Sequence, residues 1–238
     1  MLAVSSTSRQ GKAMVARHSF QIVGFDLDGT IVDSSFELAA SLNHALETGG
    51  RPPIAAEDVK QLVGMGARHM LEMALAKTGP VDRDDVRALM PILIAHYEAH
   101  IGTNCPIFPG FINAIDALSQ QDVALAVVTN KFEGLAIKLL DQLGLRSRFV
   151  TIIGGDTMGP GRGKPEPDGL HEMVRRCGGG RAAFVGDSIH DVHAAQAAGM
   201  PSIAVRFGFL HQPAETMGAS AIIDHFDDLV PTLNTLGQ

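Results

Sequence analysis

Two acidic side chains in Asp26-Leu27-Asp28-Gly29-Thr30 stand where an apolar run ends. Residues 20–25 predict a buried strand, and Gly29-Thr30 begins a turn. Residues two apart on a strand project to the same side, so Asp26 and Asp28 could meet one ligand at its end. Two like charges held so close are unfavourable unless a cation, a proton or reaction chemistry compensates. The pair points to metal-assisted chemistry.

The elements around the pair must bring further polar groups to it. Residues 34–47 carry Phe36, Leu38, Ala39, Leu42, Ala45 and Leu46 at helical spacing. Three more helical stretches are predicted at about 56–63, 68–77 and 82–100, so 34–105 reads as an all-helical insert. From Pro109 onward helix and strand alternate. Helices are predicted at about 110–120, 132–143, 167–177, 190–198 and 226–235, with Gly199 suited to a C-terminal cap. Strands are predicted at 123–128, 149–153, 182–185, 202–205 and 221–223. Continuous apolar strands alternating with helices predict an α/β fold: a doubly wound, Rossmann-like parallel sheet covered on both faces. In such sheets ligands bind at the carboxyl ends of the strands. Those ends carry Asp26 and Asp28, Thr129 and Asn130, and Asp187.

Composition narrows the class of function. The chain has 238 residues, 45% hydrophobic and 19% charged, with a formal charge of −7. That describes an ordinary globular protein and argues against a general nucleic-acid binder, which would normally show a basic face. An anionic substrate would have to be met by a local cation and a lysine. Cys105 and Cys177 form no CxxC pattern and are expected as reduced thiols, which fits a cytoplasmic protein. No apolar stretch approaches the roughly 20 residues of a membrane span. Residues 1–18 contain Arg9, Lys12 and Arg17 without an acid, faintly like a transit peptide, and are read as a flexible N-terminal extension. Met14 is an alternative start.

Taken in order, Asp26-Leu27-Asp28-Gly29-Thr30, Thr129-Asn130, Lys164-Pro165 and Gly186-Asp187-Ser188-Ile189-His190-Asp191 resemble the four motifs of the haloacid dehalogenase superfamily. The resemblance covers about residues 20–235. Val63-Gly64-Met65-Gly66-Ala67-Arg68, Thr129-Asn130-Lys131 and Ile153-Gly154-Gly155-Asp156 make it most similar to the phosphoglycolate phosphatases. The resemblance implies a catalytic core at 19–33 and 106–238 and a helical cap domain at 34–105.

It also implies a Mg²⁺-dependent phosphatase. Asp26 would be the nucleophile that forms an aspartyl-phosphate, and Asp28 the acid/base that serves leaving group and water. The metal would be held by the Asp26 carboxylate, the Asp28 backbone carbonyl and the Asp187 carboxylate, with Asp191 assisting from behind. Thr129 and Asn130 would hydrogen-bond the phosphoryl oxygens, Lys164 would offset charge, and Thr30 would steady Asp28. Arg68, in the cap, could bind a substrate carboxylate bidentately. Lys131 is expected near the site. The expected partner is a small phosphorylated metabolite, 2-phosphoglycolate first, acted on by a monomer or homodimer.

Other signals carry less. Gly159-Pro160-Gly161-Arg162-Gly163-Lys164 looks like a phosphate-binding loop, but Met158 and Pro165 occupy positions that require Gly and Ser or Thr. His96 and His100 share a helix face without a third metal ligand, and His190 and His193 are read as helix-surface residues. A sugar-phosphate or nucleotide phosphatase and a phosphomutase are rival readings within the superfamily. Haloacid dehalogenases lack the second motif-one carboxylate, so Asp28 argues against dehalogenation. A phospho-accepting signalling domain is disfavoured by the motif order and the insert.

Overall fold

The computed structural model describes residues 19–238, so the extension expected at 1–18 lies outside the described residues. Six short strands, β1 (Ile22–Phe25), β2 (Ala124–Val128), β3 (Thr151–Ile153), β4 (Ala182–Gly186), β5 (Ser202–Val205) and β6 (Ala221–Ile223), form one sheet. Their order is β3-β2-β1-β4-β5-β6 and every pairing is parallel. The carboxyl ends of the central strands are in line: Phe25 pairs with Val127 on one side and Val185 on the other.

Alternate residues of these strands feed two separate apolar layers. Val23, Phe25, Leu125, Val127, Ala183 and Val185 enter the larger core with helices α5 (Phe111–Ser119), α6 (Glu133–Gln142) and α9 (Leu229–Leu236). Ile22, Ala126, Val128, Ala182 and Phe184 face α7 (Asp168–Arg176) and α8 (Ile189–Ala197). Burial on both faces is why the strand sequences read as unbroken apolar runs. Gly24 sits in the centre of β1 because a Cβ there would lie 2.3 Å from the Met173 sulfur.

Between β1 and α5 the chain makes four helices and no strand: α1 (Ser35–Thr48), α2 (Ala56–Lys60), α3 (Ala67–Thr78) and α4 (Arg83–His100). α1 lies along α4, and Leu38, Leu42, Leu46, Leu89, Leu93 and Tyr97 are buried in the large core. The two connections to this insert are stitched together. Asp33 N donates to Pro106 O at 2.9 Å and Phe108 N to Ile31 O at 2.9 Å. The buried Glu37 carboxylate accepts Gly102 N at 3.1 Å and Asn104 N at 2.6 Å, fixing the returning segment against α1.

The differences from expectation are local. The helix expected to about 63 stops at Lys60, because Gly64 and Gly66, at φ 120° and 86°, turn the chain away from helical geometry. β3 is shorter than expected, preceded by a 3₁₀ turn at Arg146–Arg148, and another at Phe226–Asp228 delays α9. Cys105 and Cys177 are both free thiols. Among the described residues no helix is long and apolar enough to cross a membrane.

Candidate active site

Asp26 follows the last residue of β1, its amide bonded to Val185 O at 2.9 Å, so its backbone still belongs to the sheet. Its carboxylate is buried. Lys164 Nζ stands 2.8 Å from Asp26 Oδ1 and 2.6 Å from Asp191 Oδ1. The approach to Asp26 is poorly aligned, and Asp26 Oδ1 is left without a hydrogen bond. Burial, only partly offset by Lys164, pushes the Asp26 carboxyl up to about 6. Burial also opposes the Lys164 charge, but Asp191 and Asp26 together hold the ammonium above its ordinary value.

Asp187 lies just beyond β4. It accepts Thr30 Oγ1 at 3.0 Å and Phe209 N at 2.7 Å. Burial, then the charges of Asp191 and Asp26, hold its carboxyl well above the usual range. The fit around it is close: a Cβ on Gly29 would lie 2.3 Å from Asp187 Oδ2, and one on Gly208 2.3 Å from Asp187 Cβ. Asp191 opens α8, where its Oδ2 accepts the backbone N–H of Ser188 at 2.9 Å and its hydroxyl at 2.6 Å, a reciprocal capping pair.

Asp26, Asp187 and Asp191 thus offer three carboxylate oxygens within 4.8 Å of one another, all buried. One ammonium for three carboxylates leaves excess negative charge in a dry site, and one Asp26 oxygen has no hydrogen-bond donor. A hard divalent cation fits that donor set. Both Asp191 oxygens are already engaged, by Lys164 and Ser188, and both Asp187 oxygens by Thr30 and Phe209 N, whereas Asp26 Oδ1 keeps no hydrogen bond.

Asp28 turns toward the helical insert instead. Its oxygens receive Lys131 Nζ at 2.9 and 2.8 Å and Ser34 Oγ at 2.5 Å. Lys131 is buried, with its ammonium 4.5 Å from the centre of the Tyr97 ring on α4. Burial weakens the Lys131 charge, but Asp28 and Tyr97 more than restore it, and the net shift is upward. Ser34 and Tyr97 were not expected from sequence. Thr30 was expected to steady Asp28 and instead serves Asp187, because the turn at Gly29 carries its side chain across to the end of β4.

Thr129 is buried beyond β2, its Oγ1 accepting Lys131 N at 3.2 Å, and lines the pocket with Asn130 and Lys131. Asn130 has both amide hydrogens committed, to Gly64 O at 2.8 Å and Lys164 O at 2.9 Å. Its side chain is a strut between the insert and the loop that carries Lys164. Arg68 is not brought to the site. Its guanidinium is 69% exposed and paired with Glu72 one helical turn on, at 2.8 Å. His96 stacks between His44 and His100 on the insert, outside the acidic cluster, and His190 is half-buried beside Asp191 with burial lowering its basicity.

A cavity with about 50 Å³ of water-accessible space lies between insert and core. Asp26, Asp28, Thr129, Asn130 and Lys131 line its core side, and Leu38, Val63, Gly64, Met70, Leu93, Ile94 and Tyr97 its insert side.

Residues 23–205 match the family model described as haloacid dehalogenase-like hydrolase. A phosphoglycolate phosphatase of Agrobacterium fabrum is 39% identical over 225 residues, 92% of this chain and 95% of the relative. One of Caulobacter vibrioides is 37% identical over 219 residues, covering 90% and 91%. The crystal structure of a "predicted phosphoglycolate phosphatase" from Haemophilus somnus superimposes with a TM-score of 0.84 at 27% identity, covering 90% of this chain and 98% of that one. With its motifs gathered at the strand ends and this extent of likeness, the chain belongs to the haloacid dehalogenase-like hydrolase family.

Proposed function

We propose that the protein is a Mg²⁺-dependent phosphatase acting on a small phosphate monoester, with 2-phosphoglycolate the favoured substrate. The observation that carries this reading is the pairing of a buried, under-bonded Asp26 with a second carboxylate, Asp28, on the wall of one small cavity. The relatives named as phosphoglycolate phosphatases supply the substrate.

Asp26 attacks phosphorus as the ester bond to the alcohol breaks, and Asp28 gives the departing oxygen its proton. Asp28 then takes a proton from water, which attacks the phosphorus of the aspartyl-phosphate and releases inorganic phosphate and free Asp26. Lys164, held between Asp26 and Asp191, offsets negative charge where the phosphoryl group sits. Thr129 bounds that position from β2. Asp26 and Asp187 would hold Mg²⁺ together with the Asp28 backbone carbonyl, Asp191 keeping Lys164 and the start of α8 in place. When bound, the ion neutralises the acidic cluster and the incoming phosphate. Residues 34–105 act as a cap over this floor.

The test is phosphate release from a panel of 2-phosphoglycolate, sugar phosphates and nucleotides, with Mg²⁺ and with EDTA. Mg²⁺-dependent release with 2-phosphoglycolate preferred is the expected result. Preference for a sugar phosphate or nucleotide would overturn the substrate, and metal-independent release the mechanism.

A further inference from the structure

The insert's side of the cavity is apolar but for one group. Leu38, Val63, Met70, Leu93 and Ile94 surround the Tyr97 phenol, which is 2% exposed. Its hydroxyl makes no well-formed hydrogen bond, although it feels the Lys131 ammonium close by. Burial of a hydroxyl without a partner is unfavourable unless a ligand supplies one. Lys131, equally buried, gives two of its three N–H donors to the Asp28 oxygens, and its third reaches toward the Tyr97 hydroxyl, whose own O–H has no acceptor. An ammonium and a phenol whose own O–H lacks an acceptor therefore belong to the lining of the same small space. Lys164, the other buried lysine near the site, is enclosed by Asp26 and Asp191, and Arg68 points away.

We propose that Tyr97 and Lys131 together read a carboxylate on the substrate's leaving group, Tyr97 Oη donating to one oxygen and Lys131 Nζ to the other. The assignment rests on the phosphatase reading above and adds to it the residues that select the alcohol. A carboxylate accepts from both groups at once, and its negative charge is balanced by Lys131 when Asp28 carries the proton it gives to the leaving group. The apolar walls and the small volume favour a two-carbon acid over a polyhydroxylated alcohol, whose hydroxyls would lose water without replacement. Arg68, outside the cavity, is replaced in this role.

The experiment compares kcat/KM for 2-phosphoglycolate and for ethyl phosphate, which has a methyl group in place of the carboxylate. Tyr97→Phe removes only the phenolic oxygen. The expected result is a fall of at least about tenfold in the ratio of the two values, carried by KM for 2-phosphoglycolate, since a polar site built for a ligand discriminates strongly against analogues lacking the partner. A ratio within about twofold of wild type overturns the assignment. Should Tyr97→Phe fail to fold, the wild type decides: KM for 2-phosphoglycolate at least about tenfold below that for ethyl phosphate supports the assignment, and equal values refute it. Wild-type enzyme that spares 2-phosphoglycolate altogether refutes the substrate reading and this assignment with it. Hydrolysis of 2-phosphoglycolate with an unmoved ratio refutes only the assignment.

Discussion

The two buried lysines of the site sit in different kinds of structure. The Lys164 ammonium is held by core carboxylates, between Asp26 at the end of β1 and Asp191 at the start of α8. Lys131 bridges two regions, with Asp28 of the core against its ammonium and Tyr97 of the insert beneath it. The floor of the cavity is crowded with charge and closely packed, whereas its insert side is apolar with one phenol. On the proposed reading the difference separates labour: groups that make and break bonds belong to the sheet, and groups that choose the alcohol come from the junction with the helices. Each side can be perturbed while the other is read.

The strongest test strikes the floor. Asp26→Asn removes the proposed nucleophile and should cost at least about a thousandfold in kcat, with the fold retained. The same variant isolates a pH effect. Burial lifts the Asp26 carboxyl from 3.8 to about 6, so its favourable share of folding stability is present below 3.8 and is lost as pH rises through about 6. In EDTA the urea midpoint of the wild type should therefore fall relative to Asp26→Asn across that window. Mg²⁺ should cancel the fall. A wild-type midpoint that climbs relative to the variant in EDTA would show that the cluster is not strained by its own charge.

Next in size is Lys164→Met. It leaves Asp26 and Asp191 buried without their cation, an arrangement that typically costs about 3–5 kcal/mol. Activity should drop by about a hundredfold or more if Lys164 is the proposed charge-stabilising donor at the phosphoryl position. Added Mg²⁺ should raise the melting temperature of the variant more than that of the wild type. Equal gains would mean that lysine and metal do not share the same charge. Lys131 variants should instead alter the preference among substrates, since the insert takes part in holding that residue.

Thr30→Val probes how the floor is braced. It deletes the hydroxyl that donates to Asp187 while keeping the shape of the side chain. The expected outcome is about tenfold weaker apparent Mg²⁺ affinity, with the preference for 2-phosphoglycolate over ethyl phosphate unchanged. Unaltered Mg²⁺ dependence would show that Phe209 N alone suffices to orient Asp187.

The same division decides what could be read from sequence. Asp26, Asp28 and Asp187 were visible because each belongs to a local rule: alternation on a strand, then a polar residue where the apolar run stops. The parallel sheet followed from those same runs, buried on both faces. Thr30 was placed beside the wrong carboxylate because its partner is 157 positions away and reaches it only through the β1–β4 pairing. Asn130 ends an apolar run and was assigned to the phosphoryl oxygens by resemblance, yet its two donors hold Gly64 and Lys164 in place, which no spacing reveals. Tyr97 left no signal at all. One aromatic residue in an amphipathic helix reads as core, and its singular position appears only when α4 is laid over the strand ends.

Arg68 is the smallest effect and the sharpest test of where selection resides. By charge and by its place after the Gly64-Met65-Gly66 turn it is the obvious carboxylate binder of the insert. The fold turns it outward, 69% exposed and bonded to Glu72, a pairing at solvent that contributes at most about 0.5 kcal/mol. Arg68→Ala should leave kcat/KM for 2-phosphoglycolate within about twofold of wild type, and the ratio to ethyl phosphate as it was. A large rise in KM confined to the carboxylate substrate would mean that α3 swings Arg68 into the cavity when substrate binds. Selection would then rest on motion of the insert rather than on the buried phenol and ammonium already facing the cavity.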